Sequence, residues 1–471
     1  MRKMILKVIS SALFLAAIAG LGGCGTETQS PALRVAIPYS DNVQDPEQNY
    51  YLGWLKEKTG LNLEIITIRQ NRSVEYLDTL FSSGADVDVV LFGGDFTITE
   101  EELKPFVEAG AIWSPFEERS YYPNYGSTAG DNAGQILWIN YDWLLALNLS
   151  VPRTTKELEE VLLAFKNNDP NQNGIQDEIP LSGTTENYVF SPVELILNSF
   201  VYNDPFHARY QARGENEVQN AATDEFREGL RFCERLYREG LIDENLFTGT
   251  LSRLSEFVNS PADLVGAFTT DSISDVIYQG NPEIMAKFIH VVPLAGPEGV
   301  RNALRVEKEP AVGAIITGHS TKKMEAELLL DTMMSTEGSL IARFGEEGVD
   351  WDYSEGLDVS IYGGVSTIVT KNYIWNTPQN KHLNGIGPMD VPKEYLEGVT
   401  WNGVNSDTEY IDARAKMSYR EFLPKETSDR KADAETAAVI DGYIRDFITG
   451  VRDINSDEEW KEFVDVLQHG G

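Results

Sequence analysis

Between Asp169 and Glu178 the chain reads Asp-Pro-Asn-Gln-Asn-Gly-Ile-Gln-Asp-Glu. Side-chain oxygens stand at the first, third, fifth and ninth places (Asp169, Asn171, Asn173, Asp177), with Gly174 at the sixth. A hard cation takes about six to eight oxygens, and alternate residues point inward only where the backbone turns sharply, as a glycine allows. The spacing matches a calcium loop in which Ile175 offers its carbonyl. The twelfth place, usually a bidentate glutamate, is Pro180, and Glu178 is the substitute carboxylate. The same residue types also make ordinary turns, although four spaced oxygens and a glycine exceed what a turn needs. The ion expected is a structural Ca2+ that pins the loop between a helix and the next strand. Asp453-Ile-Asn455-Ser-Asp457 looks similar but has no glycine, and Ser456 with Glu459 better fits a helix capping box there.

Other reactive patterns are missing. There is no Gly-x-Ser-x-Gly elbow, no Walker loop and no His-Glu-x-x-His. His207, His290, His319, His382 and His469 are scattered without metal-ligand spacing. With 74 acidic residues, a carboxylate pair at glycosidase separation can always be imagined, so that signal carries nothing. The expectation is a chain that is not an enzyme.

The chain that carries this loop has 471 residues, enough for two or three domains, and 42% are hydrophobic, enough for more than one core. Its formal charge of −35 repels phosphate backbones and anionic headgroups, which argues against a nucleic-acid partner. Residues 1–23 hold Arg2, Lys3 and Lys7, no acid, and the apolar stretch Val8 to Leu21, too short to span a bilayer. Leu21-Gly-Gly-Cys24 then resembles a bacterial lipobox, in which the thiol takes a diacylglycerol and the chain is cut before the cysteine. Residues 24–32 are small and polar, a flexible tether. Cys233 is left without a partner and reads as a small buried hydrophobe inside a helix.

The loop needs elements to hold it. Thr154-Thr-Lys-Glu157 is a capping box for a helix with Leu158, Val161, Leu162 and Phe165 on one face. Upstream, Leu33–Pro38, Leu61–Ile68 and Val87–Phe92 read as strands separated by helices at Tyr50–Gly60 and Ser73–Ser83, a parallel α/β pattern. Ligands in such sheets sit beyond the carboxyl ends of strands, here Pro38–Asp41 and Gly93–Asp95. A long helix is expected from Asp224 to Glu239, a strand at Ala311–Thr317, and helices near Lys322–Met334 and Thr336–Phe344. Val291–Gly299, rich in proline and glycine, reads as a segment crossing between domains.

In this order the lipobox, Val151–Leu181, Leu236-Tyr-Arg-Glu-Gly-Leu-Ile-Asp243 and Ser335–Val349 resemble the family 1 extracellular solute-binding lipoproteins of bacterial ABC importers, LipO-like and alginate-oligosaccharide-binding members included. The resemblance implies a two-lobed, periplasmic-binding-protein-like (type II) α/β clamshell with an interlobe hinge, closing on a carbohydrate and delivering it to a permease. It implies a monomer on the extracytoplasmic face of the cell membrane, and Ca2+ held by Asp169, Asn171, Asn173, Ile175, Asp177 and Glu178. It places residues 33–136 and 296–348 in the first lobe and 137–295 and 349–471 in the second, with crossings near 135–140, 292–297 and 345–355. A sugar presents an apolar face and a rim of hydroxyls, so Tyr39, Asp41, Asp95, Trp138, Asp271, Trp375 and Trp401 are the candidate contacts. Trp138, within Ile-Leu-Trp-Ile, equally fits a core position. The alternatives are a secreted, lipid-anchored glycoside hydrolase and a carbohydrate-binding sensor or adhesin.

Overall fold

Strand β1 (Leu33–Pro38) is the spine of the first lobe, flanked in parallel by β2 (Leu63–Ile68) and β3 (Val89–Leu91). The computed structural model describes residues 31–114, 116, 119–125, 132–213, 216–277, 282–306, 311–355, 366–372, 374, 377–392, 394–395, 398–401, 422–424 and 434–469. Residues 1–23 and Cys24 lie outside these. Further strands are β4 (Ile112–Trp113), β5 (Tyr122–Asn124), β6 (Asn132–Ala133), β7 (Ile136–Asn140), β8 (Tyr210–Arg213), β9 (Asn216–Gln219), β10 (Ala267–Thr270), β11 (Phe288–Val291), β12 (Arg305–Val306) and β13 (Ala311–Thr317). The first sheet runs β2-β1-β3-β13-β4, with β5 also on β13. β13, returning from the far part of the chain, runs antiparallel to β3, β4 and β5.

Both faces of this sheet are covered, which is why its strands read as near-continuous apolar runs. Val35, Ile37, Val89, Leu91 and Ile316 enter one core, whereas Ala36, Val90, Phe92 and Ile315 enter the other. The strand period of two decides which residue goes where. The helix Tyr50–Thr59 is capped by Asn49 and closed by Gly60 at φ +69°, and Tyr51, Leu52 and Leu55 face the first core. Asp88, almost wholly buried, ties the strands together: it accepts from the Arg34 backbone N–H at 2.9 Å, Ser320 Oγ at 2.6 Å and Lys322 Nζ at 3.0 Å. These bonds outweigh the burial that opposes its charge and hold its carboxyl below the usual range.

The second lobe is built on β7, which pairs antiparallel with β10 and β11. One face carries a core of Leu158, Leu162, Phe165, Leu230, Cys233, Leu236, Ile444 and Phe463 from four helices, and Cys233 is fully buried there as expected. The other face packs Trp138, Phe268 and Phe288 against Leu254, Val258 and Ile273. β8 and β9 form a separate hairpin.

At three places the packing differs from the expected boundaries. Ile136–Asn140 is not a crossing but the central strand of the second sheet. The segment 292–297 also lies inside the second lobe: Ala295 N–H donates to Arg153 O at 2.9 Å, and a Cβ on Gly296 would stand 1.8 Å from Ser199 O. Its glycine serves close packing rather than a linker. Similarly, 345–355 does not leave the first lobe. Trp351, Ile368, Leu383, Met389 and Val399 share one core with Leu33, and β14 (Trp351–Tyr353), β15 (Ile368–Thr370) and β16 (Val399–Trp401) form a small sheet beside it. Trp351, Ile368, Leu383, Met389 and Val399 therefore pack on the first lobe, not the second.

The crossings themselves run side by side. β6 pairs antiparallel with β12, and Gly134 N–H meets Leu304 O at 2.6 Å. Phe422 O accepts from Ala303 N–H at 2.9 Å, so Phe422 lies at the same place. Among the described residues no helix is long and apolar enough to cross a membrane.

Candidate functional site

The helix Thr155–Asn167 delivers the acidic loop. Thr154 caps it by accepting from Glu157 N–H at 3.1 Å, while Glu157 Oε2 accepts from Arg153 N–H at 2.7 Å. Beyond its end the backbone curls around Asp169, whose two oxygens accept from the N–H groups of Asn173 (3.0 Å) and Gly174 (2.9 Å). Asn171 Oδ1 accepts from Asn173 N–H at 3.2 Å, and Asn173 Oδ1 accepts from Ile175 N–H at 2.7 Å. Gly174 takes φ +78° and Gln172 φ +56°, the left-handed turns that bring alternate side chains to one side. Asn173 Nδ2 reaches Asp177 Oδ1 at 3.1 Å, so the first and ninth places are joined through the fifth.

Glu178 completes the loop in an unusual state. Both its carboxylate oxygens are buried and have no hydrogen-bond partner of good geometry. Burial first, then the charges of Asp177 and Asp169, raise its pKa above the usual carboxylate value. Two buried carboxylate oxygens without a well-formed hydrogen bond, beside two further acids, are what a bound cation would neutralise, so these residues fit Ca2+. Among the described residues no cluster of three or more His, Cys, Asp or Glu forms a metal cage by itself. The donors here are mixed instead: carboxylates, side-chain amides and the Ile175 carbonyl.

The loop is not free of the sheet. Asn171 Nδ2 donates to Asp263 O at 3.2 Å, and Asp263, at φ +56°, receives Asn140 Nδ2 (3.1 Å), Trp143 Nε1 (3.2 Å) and Lys287 Nζ (3.1 Å). The chain leaving the loop makes an isolated bridge rather than the expected strand: Ile179 N–H donates to Leu264 O and Gly266 N–H to Ile179 O. The loop is thereby fastened alongside the start of β10.

The candidate ligand residues divide by lobe. Tyr39, 51% exposed, follows β1, and its ring lies 5.0 Å from the Arg69 guanidinium. A hydrogen bond to Asp41, followed by that residue's charge, raises the Tyr39 phenol's pKa. Asp95 sits exposed in the turn that Gly93 and Phe96 close with reciprocal backbone bonds of 3.0 and 3.1 Å. Tyr39, Asp41 and Asp95 thus share the carboxyl edge of β1 and β3. Asp271, half-buried, follows β10, whose last residue Thr270 pairs with Ile136 beside the crossings. Trp138 is brought to neither edge: it is 3% exposed in the core, its ring edge-on to His290 at 6.1 Å. Trp375 lies outside the described residues. Trp401 ends β16, paired with Thr370, and its side chain lies outside what is described.

One polar network escaped sequence reasoning. Arg209 is wholly buried, and its Nη2 donates to Glu194 Oε1 at 2.8 Å and Asp441 Oδ1 at 2.9 Å. Tyr188 OH donates to Asp441 Oδ2 at 2.8 Å. Three residues of the stretch 188–209 meet Asp441 from the far end of the chain, and no local motif announces the pairing.

With this geometry in place, similarities to known proteins can be read. No family model matches the chain. A fructooligosaccharide ABC transporter substrate-binding protein, FusA, of Streptococcus pneumoniae is 27% identical over 285 residues, 50% of this chain and 53% of that protein. Lipoprotein LipO of Bacillus subtilis is 25% identical over 234 residues, 47% of this chain and 45% of LipO. Each match spans about half the length of the curated relative. An extracellular solute-binding protein from Bifidobacterium longum subsp. infantis superposes with TM-score 0.62 at 20% identity, covering 94% of this chain and 96% of that one. An EF-hand mutant of the pneumococcal FusA in complex with fructo-nystose superposes with TM-score 0.59 at 19% identity, covering 93% and 96%. The two-lobed α/β architecture is the fold of these solute-binding proteins.

Proposed function

We propose that this chain is the substrate-binding lipoprotein of an ABC importer, capturing an oligosaccharide between its lobes and presenting it to a membrane permease. The observation that carries the reading is the identity shared over 285 residues with the fructooligosaccharide-binding relative. The match of fold over more than nine tenths of the chain supports it. Tyr39, Asp41 and Asp95 supply the first lobe's polar and aromatic contacts, and Asp271 a contact on the second. A ligand that touches both lobes binds the closed arrangement better and shifts the hinge equilibrium toward it. The chain itself performs no reaction on its cargo.

Cys24, after Leu21-Gly-Gly, carries the lipid that holds the protein on the extracytoplasmic face of the membrane as a monomer. Asp169, Asn171, Asn173, the Ile175 carbonyl, Asp177 and Glu178 would hold a Ca2+ ion, which would supply charge neutralisation and rigidity rather than chemistry. Thermal unfolding against a panel of neutral and anionic mono- and oligosaccharides tests the reading. A ligand of the folded state raises the midpoint by mass action. A saturable rise with a sugar that is recovered unchanged is expected. A panel without any shift, or a sugar consumed during the measurement, overturns it.

A further inference from the structure

In the second lobe a cavity of about 210 Å3 touches none of the sequence-derived site residues. Tyr188, Ser191, Glu194, Phe247, Asp441 and Arg445 are among its lining. Arg209, fully buried, bonds to both lining carboxylates, and its Nε and Nη1 have no partner. Each charge on the lining already has an opposite partner, since Glu194 and Asp441 share Arg209 while Arg445 is bonded to Asp446 at 2.9 Å, and that disfavours an ion as the occupant. Carboxylate acceptors with lone pairs to spare, hydroxyls and two aromatic rings instead suit a neutral polyol. The volume is below the roughly 300–1,000 Å3 of pockets for drug-sized ligands, so it fits a single ring rather than a chain.

A glycine adds a separate observation. Gly442 lies inside the helix Ala434–Ile448, on the cavity lining. A Cβ there would meet nothing within 4 Å, so packing does not require the glycine. Glycine in a helix interior costs about 1 kcal/mol relative to alanine. What this glycine preserves is open space. Another part of the lining is tied to the crossings: Gln135, directly before β7, donates through Nε2 to Tyr188 O (2.9 Å), Val189 O (3.2 Å) and Ser191 O (2.7 Å).

We infer that this cavity is a subsite for one neutral sugar ring of the cargo, with Asp441 and Glu194 accepting from its hydroxyls beside Tyr188 and Phe247. The inference rests on the proposed function, and it places a contact in the wall that Gln135 joins to the crossings.

Calorimetric titration of the purified protein with neutral mono- to tetrasaccharides tests it, using Gly442→Leu, Gly442→Ala and Asp441→Asn. Gly442→Leu is expected to weaken binding about tenfold or more by filling the space, and Asp441→Asn about tenfold by weakening an acceptor. Gly442→Ala should stay within about threefold, because a methyl group occupies little of the cavity. Sugar-free melting temperatures of both Gly442 variants should equal or exceed that of the parent, since each removes a helix glycine. Equal affinity in all four proteins overturns the subsite while leaving the importer reading intact. Absence of any saccharide binding to the parent overturns both.

Discussion

Glu178 is the residue whose surroundings ask most plainly for a partner. Its two oxygens are buried without a well-formed hydrogen bond, and burial, followed by the charges of Asp177 and Asp169, raises its pKa despite weak contacts to the backbone. A cation at the loop relieves all three effects at once, so added calcium should raise the melting temperature and chelator should lower it. At a hundredfold excess over the dissociation constant the gain is about 2.7 kcal/mol. In Asp169→Ala the calcium-dependent rise should vanish, whereas in Glu178→Gln the metal-free protein should be as stable as the parent or more so. An unchanged calcium response in Asp169→Ala would contradict this assignment. Two histidines make a second prediction. Burial lowers the pKa of His290 to about 3 and that of His382 to about 4. Unfolded imidazoles titrate near pH 6.5, so below that pH the unfolded chain binds the extra protons. The stability these neutral rings permit is fully present above about pH 6.5 and falls by about 1.4 kcal/mol per pH unit for each ring as acid is added, until the folded values are reached. Melting temperature against pH should show this acid limb, shallower in His290→Phe. The same slope in that variant would refute the assignment.

Among the elements, those made by local periodicity were legible from sequence. The helix Asp224–Arg238, the capped helix Thr155–Asn167 and the strands β1, β2 and β13 stand where their patterns put them. The order of three parallel strands with helices between them also implied an α/β sheet, because crossover helices leave few other topologies. What was not legible depended on contacts across long sequence separations. Pro293 and Gly296 resemble a linker in sequence, yet Gly296 is needed because Ser199 O leaves no room for a side chain. Trp351 and Ile368 carry no mark of which lobe they join; only packing against Leu33 and Leu340 decides it. Trp138 fits a sugar platform or a core strand equally by type, and the pairing of its strand β7 with both β10 and β11 places it in the core. At this scale Gly296→Ala should destabilise the protein by about 3 kcal/mol or more, since the clash is with backbone that cannot swing aside. The midpoint of urea unfolding measures it. A midpoint equal to the parent's would mean the Gly296–Ser199 approach is looser than described.

For the whole molecule, the antiparallel ribbon of β6 and β12 and the neighbouring Phe422 put the connections between lobes in one place. Connections gathered there let one lobe rotate against the other by small changes in a few residues, without disturbing either core. The proposed capture of a sugar uses that freedom: contacts on both lobes supply the differential affinity that moves the equilibrium, and no other driving force is needed. The loop around Asp169 lies within the second lobe, fastened to Asp263 and the start of β10, so the proposed Ca2+ should stabilise that lobe without being spent in closure. Solution X-ray scattering of the purified, calcium-supplemented protein, with and without a saturating neutral oligosaccharide, tests the central claim most directly. A radius of gyration that falls on saturation, with the sugar recovered intact, is the predicted result. An unchanged radius under demonstrated saturation, or no oligosaccharide binding at all, would contradict capture by closure of the two lobes.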